Sequence, residues 1–216
     1  MAVLFVAFHL KPGWYRPIAI DERGLAEAEA SVARVFDDFG DHVVRRRPFE
    51  IVLHDHELNG WLAALPRLWR DASEHWPADV VLPALAFREG RWLVGAEVRR
   101  GWRTIVNAQL RATLVDDGRQ ILIEVESVSA GSIPIPRRYW SPQVQRAIDE
   151  LILENNNRRP SDSRISISQP ASFAESNHPA LLITNRFIWA NGQRPFRIGS
   201  MEPRDDGTML VRIEPL

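Results

Sequence analysis

The side chains with the most potential for metal chemistry lie in one short run, in which His54 and His56 flank Asp55 and Glu57 follows. A structural zinc site draws four ligands at a regular spacing, and no third histidine lies nearby. Asp55 is placed to cap a helix and Glu57 to favour the helix dipole, so a structural role accounts for both carboxylates. We therefore predict no metal site here and no cofactor.

Acidic side chains also occur in pairs, and two carboxylates across a cleft are what glycoside hydrolysis requires. Glu124 and Glu126 alternate with Ile123 and Val125, which is the pattern of a strand with one solvent-facing side. The sequence contains no Gly-x-Ser-x-Gly, His-Glu-x-x-His, phosphate-loop or dinucleotide-binding pattern. These observations favour a non-enzymatic protein, with a hydrolase of unfamiliar type as the less favoured alternative.

The composition excludes several function classes. The 216 residues are 45% hydrophobic and 25% charged, which suits one domain with a real core. The 27 basic residues against 28 acidic ones leave a net charge of −1, which argues against a nucleic-acid partner. The absence of cysteine removes disulfides, thiolate nucleophiles and iron–sulfur clusters.

Apolar residues at three- and four-residue spacing predict amphipathic helices in the first third of the chain. The first covers residues 22–39, with Asp21 as its N-cap and Gly40 as its C-terminal stop. The second begins at Asp55, and Pro66 is expected to bend or split it. These helices supply apolar faces that must pack against another element.

From residue 79 the apolar period changes to two, which predicts four consecutive strands in an antiparallel meander. Asp117-Gly118 is a strong hairpin signal between the last two of these strands. Pro134 and Pro136 are expected to end the sheet pairing, and Ser141-Pro142 to open a third helix. The last fifty residues read as short strands.

The eight tryptophans suggest what lies between helix and sheet. Trp61 and Trp69 belong to the second helix, while Trp92 and Trp102 begin strands predicted to face it. A curled sheet that does not close around a helix leaves an apolar groove, and such grooves bind apolar ligands. The candidate groove residues are Leu58, Trp61, Leu62 and Leu65 on the helix and Trp92, Val94, Val106 and Leu110 on the sheet.

Residues 2–8 form a short apolar run with two interpretations. One is a buried strand of a cytoplasmic protein. The other is the tail of a signal anchor, although the run is far shorter than the roughly 20 residues that cross a bilayer. In the second interpretation Trp14 and Tyr15 lie at the bilayer interface.

The order of elements resembles that of a known protein family. It consists of a short strand that leads into the helix of residues 55–62, a long meander, and the Pro-containing segment of residues 131–136. It is similar to small membrane-anchored bacterial proteins of the YpmS-like type, whose folds resemble the tubular lipid-binding (TULIP-like) superfamily. The likeness covers roughly residues 49–155. It implies an N-terminal anchor, an extracytoplasmic location and an apolar groove between helix and curved sheet. The chain departs from the family in its short apolar N-terminus and in a β-rich C-terminal tail that would be able to cover the groove.

The sequence therefore predicts an α+β fold, with a long curved antiparallel meander against amphipathic helices and a β-rich C-terminal extension. We expect an apolar segment over residues 1–20, a helix-plus-meander domain over 21–159 and the extension, packed on that domain, over 160–216. The predicted function is binding of a lipid or other apolar ligand at the outer face of a cytoplasmic membrane. The alternative is a scaffolding module with a filled core that contacts other envelope proteins.

Overall fold

The computed structural model describes residues 10–68, 78–99, 103–157, 166–170, 178–189 and 194–216. Within these ranges the chain forms three helices and eleven strands, and the strands make two antiparallel sheets. The predicted α+β class with a long antiparallel meander is confirmed. The predictions for residues 2–8, for Trp69 and for Trp102 lie outside the described residues.

The helices and strands have the following bounds. The helices are α1 (Glu22–Val44), α2 (Asp55–Leu68) and α3 (Arg137–Asn157). The four-stranded sheet, called the small sheet, has the order β1 (Phe49–His54), β11 (Thr208–Pro215), β10 (Pro195–Pro203) and β9 (Phe187–Ile188). The seven-stranded sheet, called the meander sheet, has the order β2 (Val80–Arg88), β3 (Arg91–Arg99), β4 (Arg103–Val115), β5 (Gln120–Ala130), β8 (Ala180–Thr184) and β7 (Ile167–Ser168), with β6 (Ile133–Pro134) paired to β5.

Helix α1 begins as predicted but ends later. The Asp21 side chain accepts a hydrogen bond from the backbone N–H of Gly24 at 2.7 Å, which satisfies one free donor of the first turn. The prediction that Gly40 stops the helix is wrong, since α1 continues to Val44. A Cβ at Gly40 would lie 3.1 Å from Nε1 of Trp189, so this glycine allows the indole to pack directly on the helix.

The region between the meander and α3 differs from the prediction in two ways. The residues before the second proline pair back on β5, with Pro134 opposite Ser129, so Pro134 does not end the pairing. Helix α3 starts at Arg137 and includes Pro142, whereas the predicted start was Ser141. Helix α2 likewise continues through Pro66 to Leu68, the last described residue before residue 78, so the proline does not split it within this range.

The four central strands pair in the predicted up-and-down order. The β4–β5 turn contains Asp117 and Gly118 with φ of 54° and 76°, the left-handed conformations that the Asp-Gly hairpin signal indicates. The C-terminal part of the chain extends this sheet through β8 and β7. It also supplies β10 and β11, and β1 pairs along its whole length with residues 208–213 of β11.

The main core lies between the two sheets. Phe87 of β2 is 0% exposed and clusters with three buried side chains of β11. These side chains are Met209, Val211 and Ile213. Partly buried residues of α1, α2 and both sheets surround the cluster, so this core joins the meander sheet to the small sheet.

Residues 10–20 cross the opposite face of the meander sheet and are called the strap. Tyr15, which is 5% exposed, donates a hydrogen bond from its hydroxyl to the carbonyl of Leu82 at 2.5 Å. The Trp14 ring packs directly over Gly95, where a Cβ would lie 3.0 Å from it. These rings therefore pack against the sheet, whereas the signal-anchor interpretation placed them at a bilayer interface.

The strap makes the fold sensitive to alkaline pH. Burial, with the nearby Glu97 carboxylate, raises the pKa of Tyr15 to about 12 from its ordinary value of 10.0. Because the unfolded chain loses this proton first, the contribution of Tyr15 to stability is complete below about pH 10 and is lost as the pH rises towards 12. In a Tyr139→Phe variant, whose only tyrosine is Tyr15, we expect phenolate absorbance to appear near pH 12. A midpoint at the ordinary value would contradict burial of this phenol.

Candidate functional site

An open cavity of about 480 Å³ lies between α2, α3 and the meander sheet. It lies on the face of the sheet that carries Val94, Ala96 and Val98, which we call the inner face. The cavity is lined by Leu62 of α2, Val144 of α3, and Val80, Pro83, Ala84, Leu85, Val94, Gly95, Ala96, Val98, Val106, Asn107, Ala108 and Val128 of the meander sheet.

The register of β3 and β4 explains where this space forms. Val94 pairs with Ala108, and Ala96 pairs with Val106, so two neighbouring rows of the inner face carry small side chains. The next row pairs the larger Trp92 and Leu110. Small side chains leave room between the sheet and the helices, because a packed interior requires matched volumes across the gap.

The lining of the cavity is apolar. Asn107 is the lining residue with a polar side chain, and its Nδ2 donates to the carbonyl of Gly131 at 3.1 Å. None of the described lining residues carries a charge, so an ionised group placed inside would have no partner. The cavity is therefore suited to hydrocarbon and unsuited to a buried charge.

Asn59 of α2 hydrogen-bonds the meander sheet beside the cavity. The Asn59 amide group donates to the carbonyl of Leu85 at 2.8 Å and accepts from its N–H at 2.6 Å. Strand β2 is an edge strand of the meander sheet. Asn59 therefore satisfies the backbone N–H and carbonyl of Leu85 at this edge. Leu62 follows Asn59 by about one helical turn and points from the same side of α2 into the cavity.

The structure places the predicted groove residues in different surroundings. Leu62, Val94 and Val106 line the cavity. Leu58 and Trp92 pack against the core between the two sheets.

The remaining predicted residues lie elsewhere. Trp61 faces α1, where its Nε1 donates to Oγ of Ser31 at 3.3 Å. Leu65 and Leu110 are not among the lining residues.

The sequence interpretation missed several lining residues. Ala96 and Ala108 share the alternating period with the predicted valines, and this period was the signal that placed them on the same face. Val144 lies on the apolar side of α3, but nothing in its spacing shows that α3 reaches the cavity. The large aromatic side chains were expected to mark the groove, whereas the small residues form it.

The acidic and histidine side chains that the sequence offered for chemistry form ion pairs or lie apart from one another. Glu126 forms ion pairs with Arg91 and Arg111, each at 2.6 Å, so this carboxylate lies between two cations. The rings of His54 and His56 lie 5.4 Å apart, and among the described residues no group of three or more acidic or histidine side chains is placed to hold a metal. No helix in the described ranges is long and apolar enough to cross a membrane.

The fold and the site thus define an α+β domain with an open apolar cavity. Comparison with known proteins finds no matching family model, no similar curated protein and no similar solved structure. The function has to be inferred from the cavity and the residues that form it.

Proposed function

We propose that this protein is a non-enzymatic, envelope-associated domain that binds a lipid or other apolar ligand in the cavity between α2 and the meander sheet. The cavity carries the proposal: its volume of about 480 Å³ lies within the range of roughly 300–1,000 Å³ that ligand pockets occupy. Transfer of an apolar ligand from water into such a lining is favourable in proportion to the area buried. None of the described lining residues is a carboxylate, histidine or hydroxyl, so the cavity offers no group for acid–base or nucleophilic catalysis.

The open cavity also bears on the alternative of a scaffolding module. A scaffold with a filled core predicts matched packing between α2 and the sheet, as is seen around Phe87. The cavity at Ala96 and Ala108 departs from that packing. This difference supports ligand binding over a purely structural function.

We propose the outer face of a cytoplasmic membrane as the location of this protein. The support is the apolar run of residues 2–8 and the resemblance over residues 49–155, together with a ligand class that membranes supply. The same purification therefore tests location and ligand. Tagged protein is isolated from separate membrane and cytosolic fractions, and each sample is extracted for lipid mass spectrometry.

The variant Ala108→Phe is expected to weaken ligand binding at least tenfold, because the ring occupies the space between the two small rows of the inner face. The probe is a fluorescent long-chain fatty acid, titrated into delipidated protein. The matched control is Ala147→Phe, which makes the same change on the exposed side of α3.

The control is expected to bind the probe as the unmodified protein does. Equal affinity of Ala108→Phe and Ala147→Phe would contradict binding in the cavity. Recovery of the protein from the cytosolic fraction alone, with no lipid bound, would overturn both the location and the ligand.

A further inference from the structure

A second cavity of about 340 Å³ lies beside the first, between the strap, α2 and the start of β2. Its walls include Ile18 and Ile20 of the strap and Ala63 and Pro66 of α2. Every described residue that lines it is apolar. Like the first cavity, it therefore offers contacts to hydrocarbon and none to a buried charge.

The two cavities share part of their walls. Leu62, Val80 and Pro83 line both of them. The cavities are therefore neighbours, and these three residues stand between them at a corner of α2 and β2.

An irregularity in β2 forms the corner. The pairing of β2 with β3 shifts between Val81 and Ala84, and Leu82 adopts a left-handed conformation with φ of 52°. Bulges of this kind bend a strand locally and redirect its side chains. The strap holds the bend in place, since the Tyr15 hydroxyl donates to the carbonyl of Leu82.

We propose that the two cavities together bind one extended acyl chain, which bends around Leu62 and leaves its polar head at the solvent. This inference rests on the proposed function and specifies its ligand class as a flexible, single-chain amphiphile. A rigid ring system has no means of following the corner at Leu62 and Pro83, whereas a chain of methylene groups does. The apolar walls of both cavities require that the polar head stays outside.

A chain-length series tests this proposal. Saturated fatty acids of about 8 to 18 carbons displace a bound fluorescent fatty acid, and each buried methylene is expected to raise affinity roughly threefold to fourfold. In the unmodified protein the gain should continue after the first cavity is full. In Ala63→Phe, which fills only the second cavity, short chains should bind normally and the gain should stop at a shorter chain.

A second variant tests the same cavity in case Ala63→Phe does not fold. Ala19→Phe narrows the same cavity from an exposed position of the strap, on a different wall from α2, and should shorten the series in the same way. Ala108→Phe fills the first cavity and should weaken all chain lengths.

The outcomes separate this inference from the function on which it rests. An unchanged chain-length series in both Ala63→Phe and Ala19→Phe would overturn the two-cavity inference while binding in the first cavity stands. A compact sterol that binds more tightly than every fatty acid would overturn it as well. Failure of the unmodified protein to bind any chain would overturn the proposed function itself.

Discussion

Replacement of Phe87 by alanine is expected to lower the free energy of unfolding by about 4 kcal/mol. The Phe87 ring is 0% exposed and lies where β2 of the meander sheet meets β11 of the small sheet. Trp92 contacts the same ring edge to face, with centroids 6.3 Å apart. The truncation would remove these contacts and leave a void that a close-packed junction closes only in part.

Urea denaturation followed by circular dichroism measures this loss. The control is Phe36→Ala on α1, which makes the same chemical change at a ring that is 47% exposed. Phe36→Ala should lower the free energy of unfolding by about 1 kcal/mol or less, because folding buries less of the apolar surface of Phe36 than of Phe87. Equal losses for the two variants would show that the junction of the sheets is not the principal core.

The second large effect is expected for Asn185→Ala, at about 3 kcal/mol. Asn185 is 3% exposed and lies between β8 of the meander sheet and β9 of the small sheet. Its Nδ2 donates to the carbonyls of Gly118 and Ile198, each at 2.7 Å, and its Oδ1 accepts from the Ile198 N–H at 2.9 Å. Alanine would leave these backbone groups without their partner.

The exposed Asn156 near the end of α3 provides the matched control, since Asn156→Ala makes the same substitution on the surface. We expect a change within about 0.5 kcal/mol for this variant. Urea midpoints and slopes should be compared for both, because an unchanged slope shows that stability alone has changed. A loss for Asn185→Ala no larger than that of the control would contradict a cross-link between the sheets.

These two positions also separate stability from ligand binding. Neither Phe87 nor Asn185 lines the cavity, whereas Ala108 does and lies on a wall with room for a larger side chain. The two core variants should therefore keep their affinity for a fatty acid under conditions in which they remain folded. Ala108→Phe should lose affinity while it stays folded. The comparison distinguishes residues that contact the ligand from residues that stabilise the fold.

Local features of the sequence were sufficient for most elements. Asp21 caps α1, and Asp117-Gly118 forms the turn that connects β4 to β5. Both were predictable because capping and hairpin geometry depend on a few adjacent residues. The prediction for Gly40 was wrong because a glycine within a helix has two explanations. Here the contact with Trp189, distant in the sequence, decides between them.

The site was predictable only in part for a related reason. The period of two along β3 and β4 places Val94 and Val106 on one face, but it does not show which row of that face meets a helix and which meets a void. The structure shows that Trp92 packs toward the core and that the small residues beside it form the cavity. From side-chain size alone, the large aromatic residues were expected to line the groove.

The amino-acid sequence by itself determined the helices, the meander and the apolar faces, since these follow from contacts within a few residues or across a tight turn. Only the tertiary structure decided that β1 pairs with β11, with Phe49 opposite Ile213, and that the strap crosses the outer face of the meander sheet. Those contacts join segments far apart in the chain, and no local pattern encodes which distant partner a strand or loop meets. The cavity is the consequence of such pairings, because it forms where α2, α3 and two rows of small side chains fail to fill the space between them.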